Sequence, residues 1–275
     1  MQVQGRLRKM LTQHQQEVSY QLRLTHPSEP ETQVPLNPLL GQQLSLEFSG
    51  DIHCIHCDRK TSKSFSQGYC YPCFKKLAQC DTCIIKPETC HYHQGTCREP
   101  AWGEAHCFQP HSVYLANTSG LKVGITRQSQ MPTRWMDQGA VAALPLLEVK
   151  DRLTSGQVEI LLAQRLKDKT AWQAMLKNQV PEVDLLAEAT HVLDAYQEEL
   201  ANFPPAAVQR LTGEPLIFKY PVLQYPSKIK SLNPEKTPQI EGQLLGIKGQ
   251  YLLLDTGVIN LRKFAGYVVA FTSNE

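Results

Sequence analysis

Hydrophobic and polar positions alternate in two early stretches of the chain: Val18, Tyr20, Leu22 and Leu24, then Leu44, Leu46 and Phe48. A period of two is that of a strand with one buried face, so two β-segments are expected within residues 1–50. Pro27, Pro30, Pro35 and Pro38 stand between them and are expected to exclude regular structure there. Beyond residue 107, Val113, Tyr114 and Leu115 form an apolar run, residues 117–120 a turn and residues 122–126 a second strand. Together they predict a β-hairpin. Pro132 is placed to open a short helix through Arg134 and Trp135 that Gly139 stops, and residues 144–150 read as a third strand.

Thr154, with Gln157 three residues on, is a capping-box start. The helix it opens gathers Val158, Leu161, Leu162, Arg165 and Leu166 on one side, with Glu159 at the edge of that stripe. A shorter helix over residues 171–177 should turn Trp172, Met175 and Leu176 inward. Another covers about residues 183–200 and ends before Pro204 and Pro205. Four β-rich runs follow, at residues 244–247, 251–254, 258–261 and 267–271, separated by Lys248-Gly249, Asp255-Thr256-Gly257 and Ala265-Gly266. They predict a meander of tight turns. Four short strands leave exposed edges, so a small barrel is expected, with the N-terminal strands as candidates to close it.

The fold class expected is α+β. Five segments follow: N-terminal β segments (1–50) packing on the C-terminal β-module, a cysteine-rich module (51–110), a domain built from the hairpin and its helices (111–180), an acidic helical connector (181–210) and the C-terminal β-module (211–275).

The 275 residues are 41% hydrophobic and 20% charged with a net charge of +2, which is ordinary for a globular protein and excludes a uniformly basic nucleic-acid binder. No apolar stretch approaches the roughly twenty residues that span a bilayer. The N-terminus carries no run of signal-peptide length, so a cytoplasmic protein with reduced cysteines is expected. Charge is unevenly placed. Residues 58–76 hold five basic residues against one acidic, whereas residues 181–201 hold six acidic residues and no Lys or Arg. This permits, without requiring, a phosphate-binding face in the middle of the chain.

All nine cysteines lie between Cys54 and Cys107. Cys54-Ile-His-Cys57 and Cys70-Tyr-Pro-Cys73 are two CxxC knuckles, and two such knuckles complete a tetrahedral all-sulfur zinc site. For a second zinc site, Cys83, Cys90, Cys97 and Cys107 are the preferred set, with Cys80, His91, His93 and His106 as alternates. Four thiolates leave no open position, so both sites read as structural. The block is expected to form a platform that fixes the strand beginning near Tyr114.

The segment Ser-Val-Tyr-Leu-Ala…Leu-Lys-Val-Gly-Ile-Thr…Arg-Trp…Glu over residues 112–168 resembles the GIY-YIG nuclease domain. The whole chain also resembles an uncharacterised bacterial family that joins a cysteine-rich module to such a segment. The first resemblance implies a three-stranded sheet with flanking helices, one divalent metal and phosphodiester hydrolysis. It would make Tyr114 the tyrosine of the first motif, Gly124 the glycine of the second, Arg134 the helical arginine and Glu159 the ligand of Mg or Mn. Lys122 stands where a tyrosine is usual, and Asp137-Gln138 follows Arg134 where active members often carry histidine or tyrosine. Tyr114, Lys122, Arg134 and Glu159 are thus the candidate catalytic residues, with DNA or RNA as expected partner. A non-catalytic nucleic-acid or protein binding module on the same fold is the alternative. Each residue alone also has a plain structural reading: Tyr114 in the core, Lys122 and Glu159 solvated, Arg134 in a surface ion pair.

Overall fold

The computed structural model of the chain describes residues 1–166 and 170–273. Residues 167 and 168, the end of the nuclease-like segment, and residues 274–275 lie outside the described residues. The chain divides into two compact units, one of Met1–Lys75 with Lys219–Glu275, the other of Lys76–Phe218.

The first unit opens on strand β1 (Gln2–Gln13), which the hydrophobic pattern does not reveal. Gly5, Leu7 and Met10 are its buried positions, and a bulge between Arg8 and Leu11 breaks the alternation. An extra residue in one strand shifts the side-chain phase, which is why periodicity misses it. Strand β2 (Ser19–Thr25) follows as expected, with Tyr20, Leu22 and Leu24 buried. The proline-spaced connector is not devoid of regular structure: Thr32–Pro35 forms β3 and pairs with β2 at the edge of the sheet. An edge position tolerates Pro35, because no further strand asks for its missing N–H. Strand β4 (Gln43–His53) leads directly into the first knuckle, which carries the short β5 (Lys60–Thr61) and helix α1 (Tyr71–Lys76).

In the second unit, a stretch with four short 3-10 turns and helix α2 (Pro100–Cys107) carries the remaining cysteines. Then come β6 (His111–Asn117), β7 (Leu121–Arg127), α3 (Thr133–Asp137) and β8 (Ala142–Val149). Hairpin, short helix and third strand all fall where the pattern places them. Helix α4 (Arg152–Ala163) starts earlier than expected: Asp151 is its cap, its carboxylate accepting from the Thr154 amide at 2.8 Å. In α5 (Trp172–Leu176), Met175 and Leu176 are buried but Trp172 is 36% exposed, against expectation. The expected 183–200 helix breaks at Tyr196 into α6 (Leu185–Ala195) and α7 (Gln197–Ala201), and Tyr196 enters the core. Two short strands, β9 (Val208–Arg210) and β10 (Leu216–Ile217), then pair with β8.

The antiparallel sheet runs β10-β8-β6-β7, with β9 also on β8. On one face, Val113, Leu115, Val123, Leu144, Leu147 and Val149 form a core with Val158 and Leu162 of α4 and Val192 and Leu193 of α6. The other face carries Tyr114 and Lys122, the subject of the next section.

The chain returns to the first unit with β11 (Gln239–Lys248), β12 (Tyr251–Leu254), β13 (Gly257–Asn260) and β14 (Tyr267–Ser273). Strand β4 is central, hydrogen-bonded on one side to β11 and on the other to β14, and β14 pairs in turn with β1. The full path is β13-β12-β11-β4-β14-β1-β2-β3, and no pairing joins its two ends among the described residues. The protein is therefore a mixed α+β chain with two antiparallel sheets.

Candidate functional site

The first cysteine group belongs to the sheet that precedes it. The β4 strand delivers Cys54, whose amide and carbonyl close a turn with Arg59 and Asp58, and Asp58 takes a left-handed φ of 63°. Cys70 and Cys73 arrive on the start of α1. The sulfurs of Cys54, Cys57, Cys70 and Cys73 all lie within 4.8 Å of one another, and Cys57 and Cys70 stand 3.7 Å apart. Four sulfurs at about 2.3 Å from a tetrahedral centre are separated by roughly 3.8 Å, whereas a disulfide needs about 2 Å. The donor set fits a metal ion such as zinc, and no disulfide links the nine cysteines among the described residues. Burial resists charge on Cys54, but hydrogen bonds from the Cys57, Cys70 and His56 backbone and the Cys57 thiol bring it down to about 6. Cys70 and Cys73 are pushed up by burial first.

The second group belongs to the Lys76–Phe218 unit. Cys83, Cys90, Cys97 and Cys107 line one cavity of about 20 Å³ together with Asp81 and His91. The tightest set there is Asp81, Cys83 and His91, whose ligand atoms lie within 4.8 Å. Asp81 is also engaged by Arg98 at 2.8 Å and caps the Thr82 amide at 2.6 Å. Burial, Asp81, Cys90 and Cys107 push the Cys83 thiol up to about 11. Among the alternates, Cys80 is buried, and His93 is exposed. His106 stacks on Trp102 at 4.3 Å and bonds its carbonyl through Nδ1.

This group is locked to helix α4. A Cβ on Gly156 would stand 2.6 Å from the Glu88 amide nitrogen and 2.7 Å from Pro87, so only glycine admits the Pro87–Thr89 turn. Arg152, one helical turn earlier, donates to the Ile84 carbonyl at 2.6 Å. Its charge acts on both Cys83 and Cys107. The cysteine loops therefore brace the helix that carries Glu159.

Tyr114 and Lys122 occupy the opposite sheet face. Tyr114 pairs across the hairpin with Gly124, and its ring fills the space a side chain there would need: an added Cβ would meet the hydroxyl at 2.7 Å. The ring packs edge-on against Trp135 of α3 at 5.6 Å. Its hydroxyl donates to Gln138 Oε1 at 3.2 Å, and the Lys122 ammonium reaches the same oxygen at 2.8 Å and Thr170 Oγ1 at 2.9 Å. Burial raises the Tyr114 hydroxyl above its ordinary range; Arg134, hydrogen-bonded to it, pulls it down and Glu159 pushes it up. Gln138 thus joins Tyr114 of β6 to Lys122 of β7, Arg134 of α3 hydrogen-bonds the same hydroxyl, and the charge of Glu159 on α4 acts on it. Tyr114 is fully buried and Lys122 is 3% exposed, while Arg134 and Glu159 are half-buried. The solvated reading of Lys122 is thus overturned, since Gln138 and Thr170 hold it inside. In the sequence Gln138 stands out only as part of a departure from a motif, and Thr170 carries no local signal.

A mixed α+β fold with a four-cysteine cluster defines a class rather than an activity. The chain belongs to the family described as Protein of unknown function (DUF2797), whose profile matches residues 41–269. No curated protein and no solved structure matches the chain.

Proposed function

We propose that the chain is a zinc-stabilised nucleic-acid-interacting protein built on a GIY-YIG-like core, with Arg134 and Glu159 facing a phosphodiester. The observation that carries this reading is the hydrogen bond between Arg134 and the Tyr114 hydroxyl, with the charge of Glu159 acting on the same group. The sheet order supports it, with β6 between β7 and β8 and helices after the hairpin and the third strand. Arg134 would pair with phosphoryl oxygens and stabilise charge developing there. Glu159 would hold Mg or Mn, which when bound supplies positive charge for that chemistry. Gln138, itself held by Lys122, accepts from the Tyr114 hydroxyl and fixes its position. Zinc at Cys54, Cys57, Cys70 and Cys73, and a second at Cys83, Cys90, Cys97 and Cys107, would contribute folding energy rather than a reaction.

Incubating the purified protein with Mg or Mn and mixed DNA and RNA tests the reading. Cleavage lost in both Arg134→Ala and Glu159→Ala supports an endonuclease, and cleavage unchanged in both places the chemistry elsewhere. One observation favours a second reading, binding without hydrolysis: the Tyr114 hydroxyl has no exposure to solvent. That reading expects salt-sensitive, metal-independent binding and no cleavage.

A further inference from the structure

The outside of the first knuckle carries a feature its cysteines do not use. Tyr71 is 56% exposed at the start of α1, its ring 5.4 Å from Phe65, which stacks on Phe74 at 5.6 Å and 24°. The Lys63 ammonium sits 5.5 Å over the Phe65 ring. These rings are held by backbone. Phe65 and Tyr69 exchange hydrogen bonds at 2.8 and 2.9 Å around a turn with left-handed Ser66 and Gln67. A Cβ at Gly68 would lie 2.7 Å from Ile55. Beneath the turn, Arg8 donates to the Ile55 carbonyl at 3.1 Å.

Packing explains Phe65 and Phe74, which are half-buried, but it does not explain an exposed tyrosine beside them. The charge carried by residues 54–75 is one-sided. Arg59, Lys63 and Lys75 are exposed, and the one acidic residue in residues 54–75, Asp58, is engaged by Arg6. Aromatic faces amid cations suit a ligand that offers flat rings and phosphates together. A duplex hides its base faces in the stack, whereas an unpaired strand presents them.

We propose that Tyr71, backed by Phe65, is a stacking platform for a base of single-stranded nucleic acid, with Arg59, Lys63 and Lys75 taking its phosphates. This rests on the proposed function for the class of ligand and narrows that class to unpaired strands, at a site separate from Arg134 and Glu159.

The test is fluorescence anisotropy of the full-length, metal-loaded protein with labelled oligo-dT and oligo-U of about twenty nucleotides and with a duplex of equal length. The expected result is a preference for the single strands and a roughly tenfold loss of their affinity in Tyr71→Ala, restored by Tyr71→Phe. Lys63→Gln should flatten the dependence of log affinity on log salt by about 0.7. The relative affinities for oligo-dT and oligo-U assign the strand as DNA or RNA. Wild-type binding that Tyr71→Ala leaves unchanged overturns the platform and leaves the proposed function standing. Tighter binding of duplex than of single strands also overturns the platform alone. No binding of any nucleic acid overturns both.

Discussion

Tyr114 and Lys122 donate to one shared oxygen, Oε1 of Gln138, at 3.2 and 2.8 Å. An ammonium that is 3% exposed is tolerable only where acceptors meet it. Gln138→Ala removes one of those acceptors, and the expected cost is about 2 kcal/mol of stability. Lys122→Met, which also removes the charge, is expected to cost less. Urea unfolding of both variants checks the order, and equal or reversed costs would show that Gln138 is not what holds the ammonium.

Gly124→Ala places a methyl group against the Tyr114 ring. The ring is fully buried against Trp135 and has nowhere to retreat, so a loss of about 1–3 kcal/mol is expected. In the Tyr114→Leu background the same substitution should cost much less. A double-mutant cycle measures the coupling, and strict additivity would contradict the contact.

Gly156→Ala acts at a distance from the cysteines. Its methyl group would strike backbone at Glu88, which cannot yield without moving the turn between Cys83 and Cys90. The variant is expected to lose the second metal selectively and keep the first. Metal content by mass spectrometry, about two zinc ions in the wild type and about one in Gly156→Ala, is the readout. Cys57→Ser is expected to do the converse.

His111 gives the protein an acid limit. Burial, with Arg152 and Arg127 close by, lowers this histidine to about 4, below the roughly 6.5 of an unfolded chain. The unfolded state therefore binds the extra proton first as pH falls. The stability from neutral His111 is complete above about pH 6.5 and is lost as pH falls toward 4, about 3 kcal/mol in all. Unfolding free energy against pH should slope less over that window in His111→Gln, and an unchanged slope would assign the acid sensitivity to other groups.

The elements legible in the sequence are those that one stretch of chain specifies. The hairpin at residues 111–127, the third strand and the C-terminal meander each combine local periodicity with turn residues, and the first cysteine group combines two adjacent doublets. Strand β1 escaped because its bulge changes phase between Arg8 and Leu11. Strand β3 escaped because Pro35 reads as a breaker unless the strand is known to be an edge. The division of the cysteine block at Lys75, and the burial of Lys122 by residues 16 and 48 positions away, depend on partners that no local pattern names. Tyr114, Arg134 and Glu159 were nameable by resemblance, but their unequal exposure was not.

Strand β4 lies between β11 and β14, which are made more than 180 residues later in the sequence. During synthesis β4 therefore emerges long before β11 and β14 exist, and apart from Ile52 and His53, which pair with β5, its N–H and C=O groups stay open on both sides. The Lys76–Phe218 unit is continuous and can fold on the ribosome while the first sheet waits. Closing that sheet is then the long-range, slow event. A chain stalled before Gln239 would carry a finished second unit beside an unpaired template, open to strand exchange with another copy.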